Sequence, residues 1–407
     1  CGTVLRGAGH LERLGAWKRL TDDEQADVYA FLDAELADGI AANYAESYRR
    51  LAADVPEFGV WANMAEHHGT QARLDTVAGG LAKLHGLMAD MASGRPVDRR
   101  REELAAAYRS VLRRPLLRSA DAPTGFSLPL MEAAYLAPRG RIGLAAPGCR
   151  PSADDWWNQR TLHEDLQPVL ASFLTHPRMT EVPLVILGHP GAGKSKLTEM
   201  LAARLPASDF LALRVELRSV QPNAPIHAQI DEGIAAALHT RVSWRDLADS
   251  ADGALPVVIL DGFDELLQAT GVNRSDYLEQ VRDFQLRQAE LGQPVAVVVT
   301  SRTVVADRAR FPDGTPIIRL EPFSQAQIAQ MLDIWSRANA DALAARGLKA
   351  PTPPFVLAYP ELAEQPLLLL MLLIYDAHDN ALQRAGDGLS RSGLYEHLLT
   401  MFAQREV

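Results

Sequence analysis

The chain has 407 residues, room for two or three domains at about 100–200 residues each. Its 47% hydrophobic and 23% charged residues exclude a disordered, collagen-like or membrane-embedded protein, and the longest apolar run, Pro366 to Tyr375, is about half the length that spans a bilayer. A formal net charge of −10 argues against non-specific coating of nucleic acid, so none is expected as a direct ligand. Cys1 and Cys149 are too few for a disulfide framework and have no second Cys or clustered His at metal-ligand spacing, which fits a reducing cytosol. The opening stretch lacks the apolar segment of a secretory signal, and a cytoplasmic location without a membrane partner is the expectation.

The first hundred residues read as helices. Thr21-Asp22-Asp23-Glu24 has capping-box form, and Val28, Leu32, Leu36, Ile40, Tyr44 and Tyr48 then recur near one helical face. Leu74, Val77, Leu81, Leu84, Met88 and Met91 follow three-four spacing for under three heptads, so a core stripe in a small bundle is favoured over an oligomerising zipper. His67 and His68, being adjacent on a helix, read as surface residues. A third helix, about Arg99 to Leu112, should stop near Pro115. Eight arginines lie between Arg95 and Arg118; with no interleaved aromatic beyond Tyr108, a solvated or inter-domain face is favoured over a phosphate-backbone contact.

Residues 119 to 152 hold five prolines and four glycines and read as a connector with turns. A short helix is expected around Trp156 to Leu174. From 181 onward, apolar β-branched runs alternate with helical stretches: Leu184–Leu187, Phe210–Val215, Val257–Leu260, Val295–Val299 and Ile317–Leu320. That is the pattern of a five-stranded parallel sheet covered on both faces. Beyond Pro322 the chain turns helical again, with Ser324-Gln325-Ala326-Gln327 as a helix start and Pro366 opening a very apolar helix. The expected segments are a helical domain over 1–118, a connector over 119–155, an α/β domain over 156–322 and a helical subdomain over 323–407.

The first strand runs into Gly188-His189-Pro190-Gly191-Ala192-Gly193-Lys194-Ser195, then Lys196 and a helix. This is a G-x-x-x-x-G-K-S phosphate loop in its strand–loop–helix context. Its glycines let backbone N–H groups close around phosphates where a Cβ would collide, and the helix adds its positive end. Lys194 supplies charge for the β- and γ-phosphates and Ser195 an oxygen for Mg²⁺. His189 and Pro190 read as loop shape.

Val257-Val258-Ile259-Leu260 leads into Asp261-Gly262-Phe263-Asp264-Glu265, an apolar strand ending in acids. Asp261 is expected to hold the Mg²⁺, directly or through water, and Asp264 and Glu265 to orient or deprotonate the attacking water. Val297-Val298-Val299-Thr300-Ser301-Arg302 ends at the same sheet edge, where Arg302 could sense a γ-phosphate. A strand intervenes in sequence between the phosphate-loop strand and the acidic one, as in the P-loop subclass that includes AAA+ and STAND proteins.

These motifs resemble the NACHT family. Leu260-Asp261-Gly262-Phe263-Asp264-Glu265-Leu266 looks like its Walker B form, Thr300-Ser301-Arg302 like its sensor 1, and Glu321-Pro322-Phe323-Ser324 like the turn opening its helical subdomain. Gln365-Pro366-Leu367-Leu368-Leu369 is similar to the segment whose proline lies near the adenine, and Tyr135-Leu136-Ala137-Pro138 to a tract that approaches the base. The resemblance covers about 156 to 407. It implies a P-loop NTPase of the ASCE/STAND type, flanked by an N-terminal helical bundle and a C-terminal helical subdomain leading toward a winged-helix region. It also implies ATP and ADP as ligands with Mg²⁺, self-association in the ATP state, and signalling in innate immunity, including bacterial anti-phage defence. No residue here is assigned to the family's ADP-contacting histidine. Only five of the 41 basic residues are lysine, which suits a GC-rich bacterial genome. Two other functions stand beside the switch: an AAA+-like motor or nucleic-acid-processing ATPase, and a scaffold that binds nucleotide with negligible hydrolysis.

Overall fold

The computed structural model describes residues 99–117, 122–207, 209–251, 254–270 and 274–385. The chain divides into two units, Cys1–His85 and Gly86–Val407, and every described residue belongs to the second. The helices expected after Thr21 and around Leu74 to Met91, the His67-His68 pair and the last residues of the helical subdomain lie outside the described residues.

Among the described residues a mixed sheet of seven strands organises this unit. Its strands are β1 (Gly140–Leu144), β2 (Leu162–His163), β3 (Leu184–Gly188), β4 (Phe210–Glu216), β5 (Leu255–Asp261), β6 (Ala296–Arg302) and β7 (Pro316–Leu320), in the spatial order β2-β1-β7-β3-β6-β5-β4. Strands β7, β3, β6, β5 and β4 pair in parallel, and β1 runs antiparallel to both β7 and β2. The expected five-stranded sheet is therefore corrected to seven. The five apolar runs are all present as strands. Their apolar continuity follows from burial on both faces: β3 is buried along its length and β5 from Pro256 onward. Each fully buried Val, Leu or Ile there contributes about 1.5–3 kcal/mol.

The two extra strands lie in or beside the stretch read as a connector. Gly140 pairs with Leu320 and Leu144 with Pro316. At Gly140 a Cβ would sit 2.7 Å from the Arg319 carbonyl, so the glycine that suggests a turn is required by close strand approach. The single helix expected around Trp156 to Leu174 is instead a short helix at Asp154–Asn158, strand β2, and a helix at Gln167–Thr175. Asp165 accepts a hydrogen bond from the Gln167 N–H at 2.8 Å and so helps to start the second helix.

Helix α1 (Arg99–Leu112) does not belong to a separate N-terminal domain. It packs on the sheet unit, burying Leu104 in the core beneath β3, β4 and β5. Strand β4 is the sheet's edge, and the Tyr108 hydroxyl of α1 accepts the Arg214 backbone N–H at 2.8 Å, which satisfies a donor the edge would otherwise leave open. Burial pushes the Tyr108 hydroxyl's pKa up to about 12. The basic stretch is partly spent internally: Arg99 pairs with Glu103, Arg109 with Glu102, and buried Arg101 donates to the Ala251 carbonyl.

Helix α2 (Lys194–Arg204) follows β3, and α3 (Gln325–Ala338) and α4 (Pro366–Asp376) belong to the helical part beyond β7. Ser324 and Gln327 make the full capping box of α3. This part has its own core, in which Ile328, Trp335, Leu369 and Ile374 meet Phe126, Leu128 and Leu136. The segment around 122–136, read as connector, thus supplies core residues to the helical subdomain. Among the described residues no helix is long and apolar enough to cross a membrane.

Candidate nucleotide site

Strand register brings the motifs to one edge. Gly188 at the end of β3 lies opposite Arg302 at the end of β6, and Leu260 opposite Val299, so Asp261 and Thr300 leave the sheet side by side. The strand carrying Arg302 lies in space between the phosphate-loop strand and the acidic strand.

The loop between β3 and α2 needs its glycines. Gly191 and Gly193 have φ of +78° and +89°, the left-handed region that costs other residues roughly 1–2 kcal/mol. Lys194 folds back over the loop, its Nζ donating to the Gly188 carbonyl at 2.8 Å and the His189 carbonyl at 3.1 Å. Burial lowers the Lys194 pKa, against the opposing charge of Asp264; Arg302 lowers it further, while Asp261 and Glu265 oppose. Ser195, in the first turn of α2, is exposed.

The acids are not equivalent. Both oxygens of buried Asp261 have partners: the Thr300 hydroxyl donates to Oδ1 at 2.6 Å and the Arg214 guanidinium to Oδ2 at 2.6 Å. Thr300 Oγ1 also accepts the Gly262 N–H at 2.9 Å, tying β6 to the turn after β5. Asp264 is buried and held by Arg302 twice, through the backbone N–H at 3.1 Å and Nε at 2.8 Å. Arg302, expected to face a γ-phosphate, is thus committed to Asp264 here. The Glu265 carboxylate, partly exposed, makes no hydrogen bond among the described residues. The hydroxyl of Ser195 and the carboxylate of Asp261 are the hard oxygen donors that suit Mg²⁺.

Arg214 escaped the sequence reading. It sits within β4, and its guanidinium contacts Thr198 of α2 at 3.0 Å and Glu216 at 2.7 Å as well as Asp261. A basic residue inside the otherwise apolar run Phe210–Val215 was the available signal.

Beside the loop lies an apolar cavity of about 120 Å³. Tyr135 and Pro138 of one tract and Pro366, far away in sequence, line it together with Gly191, Ala192, Gly193 and Lys196. Tyr135 is held with its hydroxyl buried and without a hydrogen-bond partner among the described residues, and burial raises its pKa. At the cavity's edge a Cβ on Gly191 would lie 3.3 Å from Gln365 Oε1, so the phosphate loop abuts the start of α4.

A P-loop NTPase fold accounts for this strand–loop–helix geometry and the acids beside it. Residues 4–66 match the family described as NACHT N-terminal Helical domain 7. No curated protein sequence matches the chain. Among solved structures it is similar to the Aeropyrum pernix ORC2 protein in its ADP form, at 13% identity over 56% of this chain and 66% of that one, with a TM-score of 0.34. It is also similar to C. elegans PCH-2, at 16% identity over 54% of this chain and 65% of that one, with a TM-score of 0.29. The aligned regions span just under two thirds of each of those chains.

Proposed function

We propose that this chain is a nucleotide-controlled signalling switch of the NACHT/STAND class, binding ATP and ADP with Mg²⁺ and hydrolysing ATP slowly. The observation that carries the reading is the contact of the phosphate loop with the start of α4, beside a cavity shared by Gly191, Tyr135 and Pro366. A nucleotide with its phosphates on Gly188–Lys196 and its base among Tyr135, Pro138 and Pro366 would touch the sheet domain and the helical subdomain at once. A ligand so placed biases the relation of two separately packed cores, which is what a switch requires. Lys194 would hold the β- and γ-phosphates, and Ser195 and Asp261 the metal, which neutralises phosphate charge when bound. Glu265, whose carboxylate makes no hydrogen bond among the described residues, would orient or deprotonate water, with Asp264 acting through its hold on Arg302. Antiviral signalling in a bacterial cytoplasm and self-association in the ATP state complete the proposal.

The test is the mass distribution of the full chain with ATP, with ADP and without nucleotide, for wild type and Glu265→Gln. Removing a general base costs ~10²–10⁴ in rate. The variant should keep ATP and shift to larger species more than wild type. Rapid wild-type turnover, with no change of assembly in the variant, would defeat the switch and favour a motor.

A further inference from the structure

Arg214 is the strongest feature that the proposed function leaves unused. Its side chain is 12% exposed and that of Asp261 5%, so the pair is largely out of water. All three guanidinium nitrogens are engaged: Nε with Thr198 Oγ1, one terminal nitrogen with Glu216 and the other with Asp261. Thr198 in turn donates to the Ser195 carbonyl at 2.9 Å. One cation therefore ties the inserted strand β4 to both segments that would hold a metal. As a stability device this is poor value, since a buried ion pair often contributes no more than apolar residues of the same volume. Its position suggests another role. A carboxylate whose two oxygens already accept from Arg214 and Thr300 is not free to take a divalent cation on the same lone pairs. A +1 charge at 2.6 Å from that carboxylate also repels an incoming +2 charge.

We infer that Arg214 is a positioning residue that acts as the internal counter-cation of Asp261 and competes with the divalent metal for it, so that metal enters only when the Arg214–Asp261 pair opens. The inference rests on the proposed nucleotide site. Loss of Arg214 should then strengthen the coupling between metal and nucleotide, which a merely structural residue would not do.

The experiment measures the affinity of the full chain for a fluorescent ADP derivative with excess Mg²⁺ and with EDTA, and takes the ratio. In Arg214→Met the ratio should rise about tenfold or more over wild type, the size expected from one charge-assisted hydrogen bond to Asp261. Adding Asp261→Asn to that variant should abolish the rise. Arg214→Lys keeps the charge but not the three-point fork, and should give a rise of a few-fold. If Arg214→Met fails to fold, the lysine variant decides alone. A ratio within twofold of wild type in the folded variants would overturn the inference. Failure of wild type to bind the probe under either condition would instead refute the nucleotide site itself.

Discussion

Replacing Lys194 by Met separates its two duties, closing the loop on itself and meeting phosphate. Without nucleotide its ammonium donates to the Gly188 and His189 carbonyls, bonds worth about 0.5–1.5 kcal/mol each net, but it does so while partly desolvated. The two effects oppose, so the variant without ligand should unfold within a few degrees of wild type. With nucleotide the lysine exchanges those carbonyls for phosphate, and the loss should fall at about 1.5–3 kcal/mol, or roughly 10- to 100-fold in Kd. At ATP–Mg²⁺ equal to ~100 times the wild-type Kd, wild type gains about 2.7 kcal/mol against unfolding. At the same concentration the variant sits at only about 1–10 times its own Kd and gains roughly 0.4–1.4 kcal/mol. Thermal unfolding of both proteins, with and without ATP–Mg²⁺, reads this directly. Equal nucleotide-induced shifts would refute the assignment of residues 188–195, and a large loss of stability without ligand would show that the lysine is chiefly structural.

Leu104→Ala should destabilise the sheet unit by about 2–5 kcal/mol, as a deletion in a packed core does, and denaturant unfolding would show no such loss if α1 were a detachable N-terminal element. Burial lowers the His163 pKa below its usual 6.5, so the folded state binds fewer protons there; its contribution is complete above the unfolded value and is lost as pH falls through the folded one. Unfolding midpoints should therefore drop from pH 7 toward pH 5, and His163→Gln should flatten part of that drop; an unchanged slope would refute it. Labelled duplex DNA should not bind tightly, since the described arginines of the basic stretch include buried Arg101 and the ion-paired Arg99 and Arg109; micromolar, steeply salt-dependent binding abolished by Arg99→Glu with Arg100→Glu would overturn this.

The parallel strands were legible because burial on both faces writes itself as an unbroken apolar run, as in Val257 to Leu260. Strand β1 was not legible, because Gly140 and the surrounding prolines carry turn statistics while the actual constraint, the carbonyl of Arg319, comes from a strand nearly 180 residues away. Helix α1 was legible as a helix but not as part of the sheet unit, since its partner surface is set by the edge position of β4. The phosphate loop and the acidic strand end could be read because local spacing dictates their chemistry. Which acid pairs with Arg302 could not: Asp264 and Glu265 are neighbours in sequence, and only the turn after β5 sends Asp264 to Arg302 and leaves Glu265 without a hydrogen bond among the described residues. Arg214 is the same case, one residue whose partners lie on two other elements.

The commitments of Arg302 and Lys194 also bear on how a switch here could tell ATP from ADP. Moving a two-state equilibrium from 1:99 to 99:1 needs about 5.5 kcal/mol of differential affinity. The γ-phosphate is the only group that distinguishes the two ligands, and a hydrogen bond to a charged group supplies about 1.5–3 kcal/mol. Two or more such contacts are required, and Lys194 and Arg302 are the cations at that edge of the sheet that the motifs supply. Both are already paired, Lys194 with loop carbonyls and Arg302 with Asp264. Each must give up those partners to meet phosphate, so the net gain per contact is smaller than the gross one. On this reading the nucleotide alone shifts the population only partly, and the remaining bias must come from whatever loosens α4 from Gly191. With ATP, Glu265→Gln should therefore move only part of the population to larger species, though more than wild type does, and opening the Arg302–Asp264 pair is one of the costs that keeps the shift partial.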